Sequence, residues 1–426
     1  MPSHQNVLTR RRFAQIMGAA GLMSVVGGTL LGCGRNDHAT PGFDIDAADW
    51  NALLAEASGQ SVTFYGWGGD EARNAWLDTT VAGALKTNYG ITLERVPMDI
   101  NDILTQLSGD MQAGVEAGSI DFIWINGENF YSTMQNGYLY GPFCDRLPNF
   151  AAHVDTTSTE ITYDFGQPNL GYEAPYGKAQ MVMLADTART RDLPVTADEF
   201  LAFCQANAGS VTYPAAGDFT GTAFISCLIA AAIGADAWAQ LTTLGADDGA
   251  AIREIVDPGL TFLRSLNPYL WQAGATFPAD SGTVYTMFQD GELVLHMTYD
   301  PFSWTNDVAS GLIPATTQSF VFDEGMVGNT NFLAVAKNAP HKAAALIAIN
   351  EILSPEIQLS QYETLKTVTV LDTDTLDTNT QAAFEAVDLG QGTLPLSELL
   401  DHRIPEVSGA VITIIENLWT NEVVGK

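Results

Sequence analysis

Residues 61–69 read SVTFYGWGG, residues 91–96 read ITLERV, and residues 120–129 read IDFIWINGEN. Each stretch carries a run of β-branched, aromatic or other apolar residues, which is typical of a buried strand. The segments between them place apolar residues at helical spacing. Three strands separated by two helices make two right-handed βαβ units. The sequence therefore predicts an α/β fold built on a doubly wound parallel sheet.

A second α/β region follows from about residue 190. Its periodicity predicts further helices at 197–206, 222–233, 283–290, 341–353 and 411–419, and further strands at 211–213, 293–298 and 331–336. The Thr- and Asp-rich stretch 367–380 is predicted to be a surface loop.

The N-terminus carries export motifs. Thr9 to Phe13 fits the twin-arginine pattern, with Arg10 and Arg11 as the arginine pair, and an uncharged stretch follows. Leu30-Leu31-Gly32-Cys33 is similar to the lipobox of bacterial lipoproteins. We expect an export signal at 1–32, a lipidated Cys33 and a tether at 33–58, so that the protein is periplasmic and membrane-tethered. The alternative is an uncleaved N-terminal anchor in which Cys33 is a chance thiol.

The length and net charge of the chain limit the kinds of function that it can have. The 426 residues suggest two to three domain-sized units, and 50 acidic against 18 basic residues give a formal net charge of −32. Such a surface repels phosphate backbones and anionic lipid, which argues against nucleic acid or a lipid surface as a partner. The acidity fits either adaptation to saline surroundings or an acidic cation-binding site.

Patterns typical of catalysis and metal binding are absent from the sequence. It contains no G-x-S-x-G, H-E-x-x-H or G-x-x-x-x-G-K-[ST] motif, and its six histidines are scattered. Cys144, Cys204 and Cys227 have no metal or redox spacing; Cys204 and Cys227 are either a disulfide or two buried thiols. No catalytic residue, metal or cofactor is predicted.

Two unusual loops are expected at one edge of the sheet. Trp67 and Gly68 leave the first strand, and Asn126, Glu128 and Asn129 leave the third. Ligands of doubly wound sheets bind beyond the carboxyl ends of the strands, and glycine lets a backbone approach a ligand closely. The alternative is a pair of ordinary strand-to-helix turns.

Several segments resemble the solute-binding proteins of bacterial ABC importers. They are most similar to the extracellular family 1 proteins, in the YnjB-like branch, and the likeness covers roughly residues 60–420. The segments that carry it, besides the export motifs and the Trp67 loop, are Ile123–Phe130, Tyr140–Pro142, Glu173–Gln180 and Asp218–Phe224. The resemblance implies a type II periplasmic-binding-protein fold and no catalysis. It also implies a monomer that closes on a solute and docks on a membrane permease driven by a separate ATPase.

The resemblance also implies an interleaved domain order. Lobe one is expected at 59–187, completed by 325–353, and lobe two at 188–324, completed by 354–426. The chain is expected to cross between them at 178–187 and 328–336.

The cleft between the lobes is expected to bind the solute. Aromatic faces and carboxylates suit an organic cation or zwitterion, whereas Lys178 and helix N-termini favour an anionic group. Each acid can equally be a helix cap. The predicted ligand-binding residues are Trp67, Gly68, Asn126, Glu128, Asn129, Tyr176, Lys178, Asp218, Thr220, Thr222, Tyr299, Asp300 and Asn331.

Two other functions remain open at this stage. Twin-arginine export often carries folded, cofactor-loaded enzymes, so a cofactor-carrying exported enzyme is the main alternative. A binding protein that feeds a sensor rather than a permease is the other.

Overall fold

The computed structural model describes residues 42–190 and 192–426. The predicted export signal, Cys33 and the first part of the tether lie outside these residues. The later part differs from a tether, since Trp50–Ala57 is a helix whose Leu53 and Ala57 pack in a hydrophobic core. Within them, no helix combines the length and apolar character that a membrane span requires.

The strands fall into three sheets. Their bounds are β1 (Ser61–Gly66), β2 (Thr92–Pro97), β3 (Phe122–Ile125), β4 (Leu139–Tyr140), β5 (Tyr163–Asp164), β6 (Gln167–Pro168), β7 (Glu173–Gln180), β8 (Val182–Asp186), β9 (Leu295–Thr298), β10 (Thr317–Phe320), β11 (Met326–Ala336) and β12 (Arg403–Pro405).

The helices flank and connect these sheets. Their bounds are α1 (Trp50–Ala57), α2 (Glu71–Trp76), α3 (Ala82–Tyr89), α4 (Ile100–Gln112), α5 (Gly127–Gln135), α6 (Pro148–His153), α7 (Thr159–Thr162), α8 (Ala197–Ala206), α9 (Phe219–Ile233), α10 (Ala235–Leu241), α11 (Gly249–Leu266), α12 (Ser281–Gln289), α13 (Trp304–Ser310), α14 (Lys342–Ile352), α15 (Pro355–Leu365), α16 (Thr378–Glu385), α17 (Leu396–Asp401) and α18 (Gly409–Glu422). A π-helical turn, Leu77–Val81, joins α2 to α3.

The largest sheet has the strand order β12-β11-β3-β1-β2. Strand β1 pairs in parallel with β2 and β3, as the two βαβ units predict. Strand β11 comes from much later in the chain and runs antiparallel to both β3 and β7. The doubly wound sheet is confirmed, and a late antiparallel strand completes it.

The second sheet has the order β10-β8-β9 and is antiparallel. The apolar helix α9 lies in the core beside it and is buried from Gly221 to Ala231. The predicted strand at 211–213 is wrong. In the described chain these residues are buried but pair with no strand. The Val211 carbonyl instead accepts a hydrogen bond from the Trp271 N–H.

Two hydrophobic cores divide the described chain. The first collects apolar side chains from Leu53 to Tyr176 and from Leu333 to Phe384; the second collects them from Met181 to Val327, Val368, and from Leu399 to Val423. We call the parts of the chain around these cores lobe one and lobe two. Strand β11 crosses between them, with Val327 in the second core and Leu333 in the first.

The placement of residues 354–384 differs from the expectation. Ile357, Tyr362 and Phe384 pack in the core of lobe one rather than lobe two. The stretch 367–380 also differs from a surface loop, since Val370 and Leu371 are buried there. The local composition is polar in this region, but residues 367–371 are all buried, because they pack against segments distant in sequence.

The three cysteines in the described chain are free thiols and all are buried. Cys204 and Cys227 are therefore not joined, and the buried-thiol interpretation is confirmed.

Candidate functional site

A cavity of about 610 Å³ lies where the two lobes meet. Lobe one contributes the segment from α7 through the β5–β6 hairpin, lobe two contributes Thr242–Leu244 and β12, and the crossing strand β11 contributes Gly328–Thr330. This volume is within the range of small-molecule sites. The lining residues that carry charge are Glu160, Asp164, Arg403 and Glu406.

One arginine and one lysine are already paired beside the cavity. Glu160 on α7 accepts from Arg403 Nε at 2.7 Å and lies 3.2 Å from Lys178 Nζ. Glu160 belongs to lobe one, whereas Arg403 lies on β12 beside the core of lobe two. The pair therefore joins the two lobes across the cavity, and it neutralises the charge of Arg403.

Asp164 is a buried acid with a free oxygen. Its Oδ2 accepts a short hydrogen bond from the Gly127 N–H, while Oδ1 has no hydrogen-bond partner among residues 42–190 and 192–426. Burial, reinforced by the nearby charge of Glu406, raises the pKa of Asp164 to about 8. Gly127 has φ +59, and a Cβ there would meet the Phe165 ring at 3.2 Å, so glycine is needed at this contact.

Glu406 is the second buried acid of the cavity. It accepts a hydrogen bond from the Tyr299 hydroxyl, and burial raises its pKa to about 7, although Tyr299 and Arg403 oppose the shift. Glu173 lies close enough to feel the charge of Asp164, and burial raises its pKa well above the usual value. Neither Glu173 carboxyl oxygen has a partner in the described chain. The site thus contains more acid than its cations can pair.

A second cluster surrounds Arg73 at the carboxyl edge of the large sheet. Arg73 lies in α2, just after the Trp67 loop, and its guanidinium donates to the Tyr176 hydroxyl and to Thr367 Oγ1, each at 3.2 Å. The guanidinium carbon lies 5.6 Å from the centre of the Trp124 ring and 5.7 Å from that of Tyr176. These contacts hold a cation at the edge where ligands are expected.

Asp300 faces this cluster from lobe two. Burial lowers the pKa of Arg73, but Tyr176, Asp300 and Asp70 raise it more, and the net shift is upward. Burial raises the pKa of Asp300, while the backbone N–H of Ser303 and the charge of Arg73 oppose the rise. The charges of Arg73 and Asp300 thus influence each other's pKa, although no ion pair within 4.0 Å joins the two side chains in the described chain.

Four of the predicted binding residues meet the two clusters. Tyr176 is buried under Arg73, and Asp300 faces Arg73. Asn126 accepts from Trp124 Nε1 and donates to the Thr330 carbonyl, which joins the Arg73 cluster to the cavity wall. Tyr299 bonds to Glu406 and lies 4.9 Å from the Phe219 ring.

Other predicted residues lie on loops or strands near this edge. Trp67 is 56% exposed, and its ring covers Gly69. Gly68 packs closely against Pro97. Glu128 is exposed and lies beside Gly409 at the start of α18, so it reaches lobe two. Asn331 on β11 pairs with Gly177 in the strand register, and Thr220 lies in the first turn of α9.

The remaining predicted residues already have structural partners. Asp218 caps α9 by accepting from the Gly221 N–H at 2.8 Å. Thr222 is buried and donates to Glu416 at 2.7 Å. Lys178 pairs with Glu160, and the carbonyl of Asn129 accepts from Thr133 within α5.

Apart from Lys178 and Asp300, the sequence does not single out the charged residues of the two clusters. Arg73 could have been noticed, because it is a basic residue in the first helix after the sheet-edge loop. Nothing local marks Glu160, Asp164, Arg403 or Glu406, whose neighbours in sequence are ordinary polar and apolar residues. None of the predicted binding residues is among those that line the cavity.

Comparison with known proteins identifies the family. The model of the family described as "Bacterial extracellular solute-binding protein" matches residues 80–384. The chain belongs to this family. It is accordingly the solute-binding component of an ABC importer, and the alternative of an exported cofactor-carrying enzyme is not supported.

One curated relative and many solved structures resemble this solute-binding protein. Protein YnjB of Escherichia coli (strain K12) is 38% identical over 328 residues, which cover 74% of this chain and 80% of the relative. The spermidine/putrescine ABC transporter substrate-binding protein PotD of Streptococcus pneumoniae matches with a TM-score of 0.61 at 12% identity, over 85% of this chain and 98% of that one.

An ABC transporter substrate-binding protein of Bradyrhizobium japonicum matches with a TM-score of 0.57 at 15% identity, over 85% of this chain and 98% of that one. At these identities the structures show the fold, which is the type II periplasmic-binding-protein fold. The described residues contain no group of three or more His, Cys, Asp or Glu side chains placed to hold a metal ion.

Proposed function

We propose that the solute of this importer component carries an organic cation, which binds in the interlobe cavity against Asp164. The observation that carries the proposal is a buried carboxyl group in the wall of a cavity of about 610 Å³, whose Oδ1 has no hydrogen-bond partner in the described chain. An unpaired polar atom in such a place costs free energy unless a ligand satisfies it.

The charges around the cavity favour a cation. Glu160, Asp164 and Glu406 line it against Arg403, the one basic residue among its lining side chains in the described chain. Arg403 is occupied by Glu160. A protonated amine would replace the proton that Asp164 otherwise holds near neutral pH, and it would also be attracted by Glu406.

The aromatic and polar residues predicted from the sequence extend this proposal. Trp67, Asn126, Tyr299 and Asp300 do not line the cavity in the described chain, and we infer that they contact the solute as the lobes close. Trp67 is exposed enough to stack on a bound group. The other predicted residues stay candidates, but each would have to leave the contacts described above before it could touch the solute. They are Gly68, Glu128, Asn129, Lys178, Asp218, Thr220, Thr222 and Asn331.

The cellular setting belongs to the same proposal. Arg10 and Arg11 support twin-arginine export, and Cys33 supports a lipid anchor. The proposal is a monomeric, non-enzymatic binding protein that this anchor keeps at the membrane beside its permease. Replacing Cys33 with alanine should abolish lipid labelling and release the protein into the periplasm. A Cys33→Ala protein that stays lipid-labelled would contradict the anchor.

Calorimetric titration at pH 9 tests the cation site. Freshly purified protein is first examined by native mass spectrometry for a bound small molecule, and then titrated with 1,4-diaminobutane and with choline as probes. Asp164→Asn keeps an oxygen for the Gly127 N–H and removes the charge. It should weaken binding of the accepted cation about 30-fold, as expected for losing roughly 2 kcal/mol from a buried charge pair.

Asp198→Asn is the matched control, because Asp198 is an exposed acid in the first turn of α8. It should leave cation affinity unchanged. A co-purified solute without a cationic group, bound equally well by wild type and Asp164→Asn, would overturn the proposal.

A further inference from the structure

The Arg73 cluster has binding capacity that its own contacts do not use. A guanidinium has five N–H donors. Within the described chain, Nη1 and Nη2 of Arg73 each donate once, to Tyr176 and Thr367, and Nε lies 3.5 Å from Asp70 Oδ2. Two N–H groups of a side chain that is only 12% exposed therefore have no acceptor among residues 42–190 and 192–426.

Lobe two presents a surface suited to an anion opposite these donors. Helix α9 begins at Phe219, and its N-terminus lies beside Tyr299 because the Phe219 and Tyr299 rings are 4.9 Å apart. The charge of Asp300, the next residue, raises the pKa of Arg73. The dipole of this 15-residue helix favours a negative group at its N-terminus, where the Asp218 side chain already accepts from the Gly221 N–H.

Strand β3 sets the spacing between this cluster and the cation site. Trp124 lies against Arg73, and Gly127, three residues later, donates to Asp164. Three residues of extended chain span about 10 Å. Because the two contacts lie on different parts of the chain, we expect a solute that reaches both to be longer than an α-amino acid, whose two charged groups are attached to one carbon.

We propose that the Arg73 edge of the cleft is an oxyanion subsite, so that the solute is an elongated molecule with a cationic group at one end and a carboxylate or phosphate at the other. The cationic end rests on the function proposed above, whereas the anionic end rests on Arg73 alone. The flat guanidinium, held between the Trp124 and Tyr176 rings, presents its free N–H groups as a fork that matches two oxygens of one oxyanion.

Asp300 competes with such a ligand. Its carboxyl group is the lobe-two acid whose charge raises the pKa of Arg73. The incoming oxyanion must displace or share that interaction. The Asp300 carboxylate accepts hydrogen bonds from the backbone N–H groups of Phe302 and Ser303 at 3.2 and 3.0 Å. Replacing Asp300 with asparagine keeps an oxygen for these two hydrogen bonds. It removes only the competing charge.

The test compares probes that share the cationic end. Wild-type protein is titrated at pH 8 with 1,5-diaminopentane, with ω-amino acids of increasing chain length, with the matching aminoalkyl phosphates and with alanine. We expect a longer ω-amino acid or aminoalkyl phosphate to bind at least tenfold more tightly than the diamine, and alanine to bind weakly. Which of the two oxyanions binds better identifies the anionic group.

The variants then assign the effect to Arg73. Arg73→Gln should lower the affinity for the ω-amino acid at least tenfold without lowering the affinity for the diamine. Asp300→Asn should raise the affinity for the ω-amino acid. Arg95→Gln is the matched control, because Arg95 is paired with Asp78 on the surface of lobe one. If Arg73→Gln does not fold, Arg73→Lys serves instead, since it keeps the charge and loses the fork; it should also weaken the ω-amino acid selectively.

The outcomes separate this proposal from the cation site. If the diamine binds as tightly as every zwitterion, and binding depends on Asp164 but not on Arg73 or Asp300, the oxyanion subsite is refuted and the cation site stands. If zwitterions and anions bind through Arg73 while Asp164→Asn has no effect, the cation site is refuted and the oxyanion subsite stands. If no probe binds and the co-purified solute carries neither charge, both are refuted.

Discussion

At the scale of a single residue, Asp164 is expected to couple the binding of solute to the release of a proton. Its pKa of about 8 means that the carboxyl group holds a proton near neutral pH, and a bound ammonium group would expel that proton. We therefore expect cation affinity to rise as pH increases from 6 to 8, by up to tenfold per pH unit. Titrations in two buffers of different ionisation enthalpy measure the proton release directly. Affinity that is constant over this range would contradict the coupling.

The same residue predicts how stability depends on pH. Because the folded pKa of Asp164 is raised above its unfolded value of about 3.9, its stabilising contribution is complete below that value and is lost as pH rises through 8. Solute-free Asp164→Asn should therefore lose less stability than wild type between pH 6 and pH 9. Urea unfolding at the two pH values measures the difference, and equal losses in the two proteins would show that another group titrates.

Trp67 provides a third prediction at this scale. Because its side chain is 56% exposed, Trp67→Ala should leave the melting temperature nearly unchanged. If the indole stacks on a desolvated cation, the substitution should weaken binding by up to about 2 kcal/mol, which is roughly thirtyfold. Trp67→Phe should retain most of the affinity. Unchanged affinity in Trp67→Ala would remove this residue from the site.

At the scale of secondary-structure elements, the packing of two helices in lobe two depends on a glycine. A Cβ at Gly259 of α11 would lie 2.7 Å from Ile229 Cγ2 and 3.0 Å from its Cα in α9. Gly259→Ala should therefore destabilise lobe two by about 1–3 kcal/mol, since steric strain outweighs the gain in helix propensity.

Gly83 of α3 is the matched control, because a Cβ there would meet nothing within 4 Å. Gly83→Ala should stabilise the protein by up to about 1 kcal/mol through helix propensity. Urea unfolding of both variants measures the difference. A Gly259→Ala protein as stable as wild type would show that α9 and α11 can move apart without loss.

Closure of the lobes belongs to the whole molecule. Solute contacts both lobes only when they are closed, so binding should shift the protein toward the closed state. We expect the radius of gyration from solution scattering to fall when the accepted cation is added to wild-type protein. Asp164→Asn at the same concentration should show no change. Tight binding to wild type without any change in radius would indicate a rigid pocket.

Local patterns carry much of the fold in this chain. The alternation of strands and helices from residue 61 onward predicts the β3-β1-β2 part of the sheet, because apolar periodicity depends only on near neighbours in sequence. Thr196 begins α8 where the capping pattern places it. The family resemblance rests on short segments of the same kind, and the family match over residues 80–384 agrees with it.

Tertiary structure alone decided the charged site. Asp164, Arg403 and Glu406 come from segments more than 200 residues apart and meet only after β11 and β12 join the sheet. Burial then raises the pKa of both acids, and burial is a property of the packed lobes, not of the neighbours in sequence. The assignment of residues 354–384 to lobe one has the same origin. Their polar composition resembles a loop, and only long-range packing makes their apolar minority part of a core.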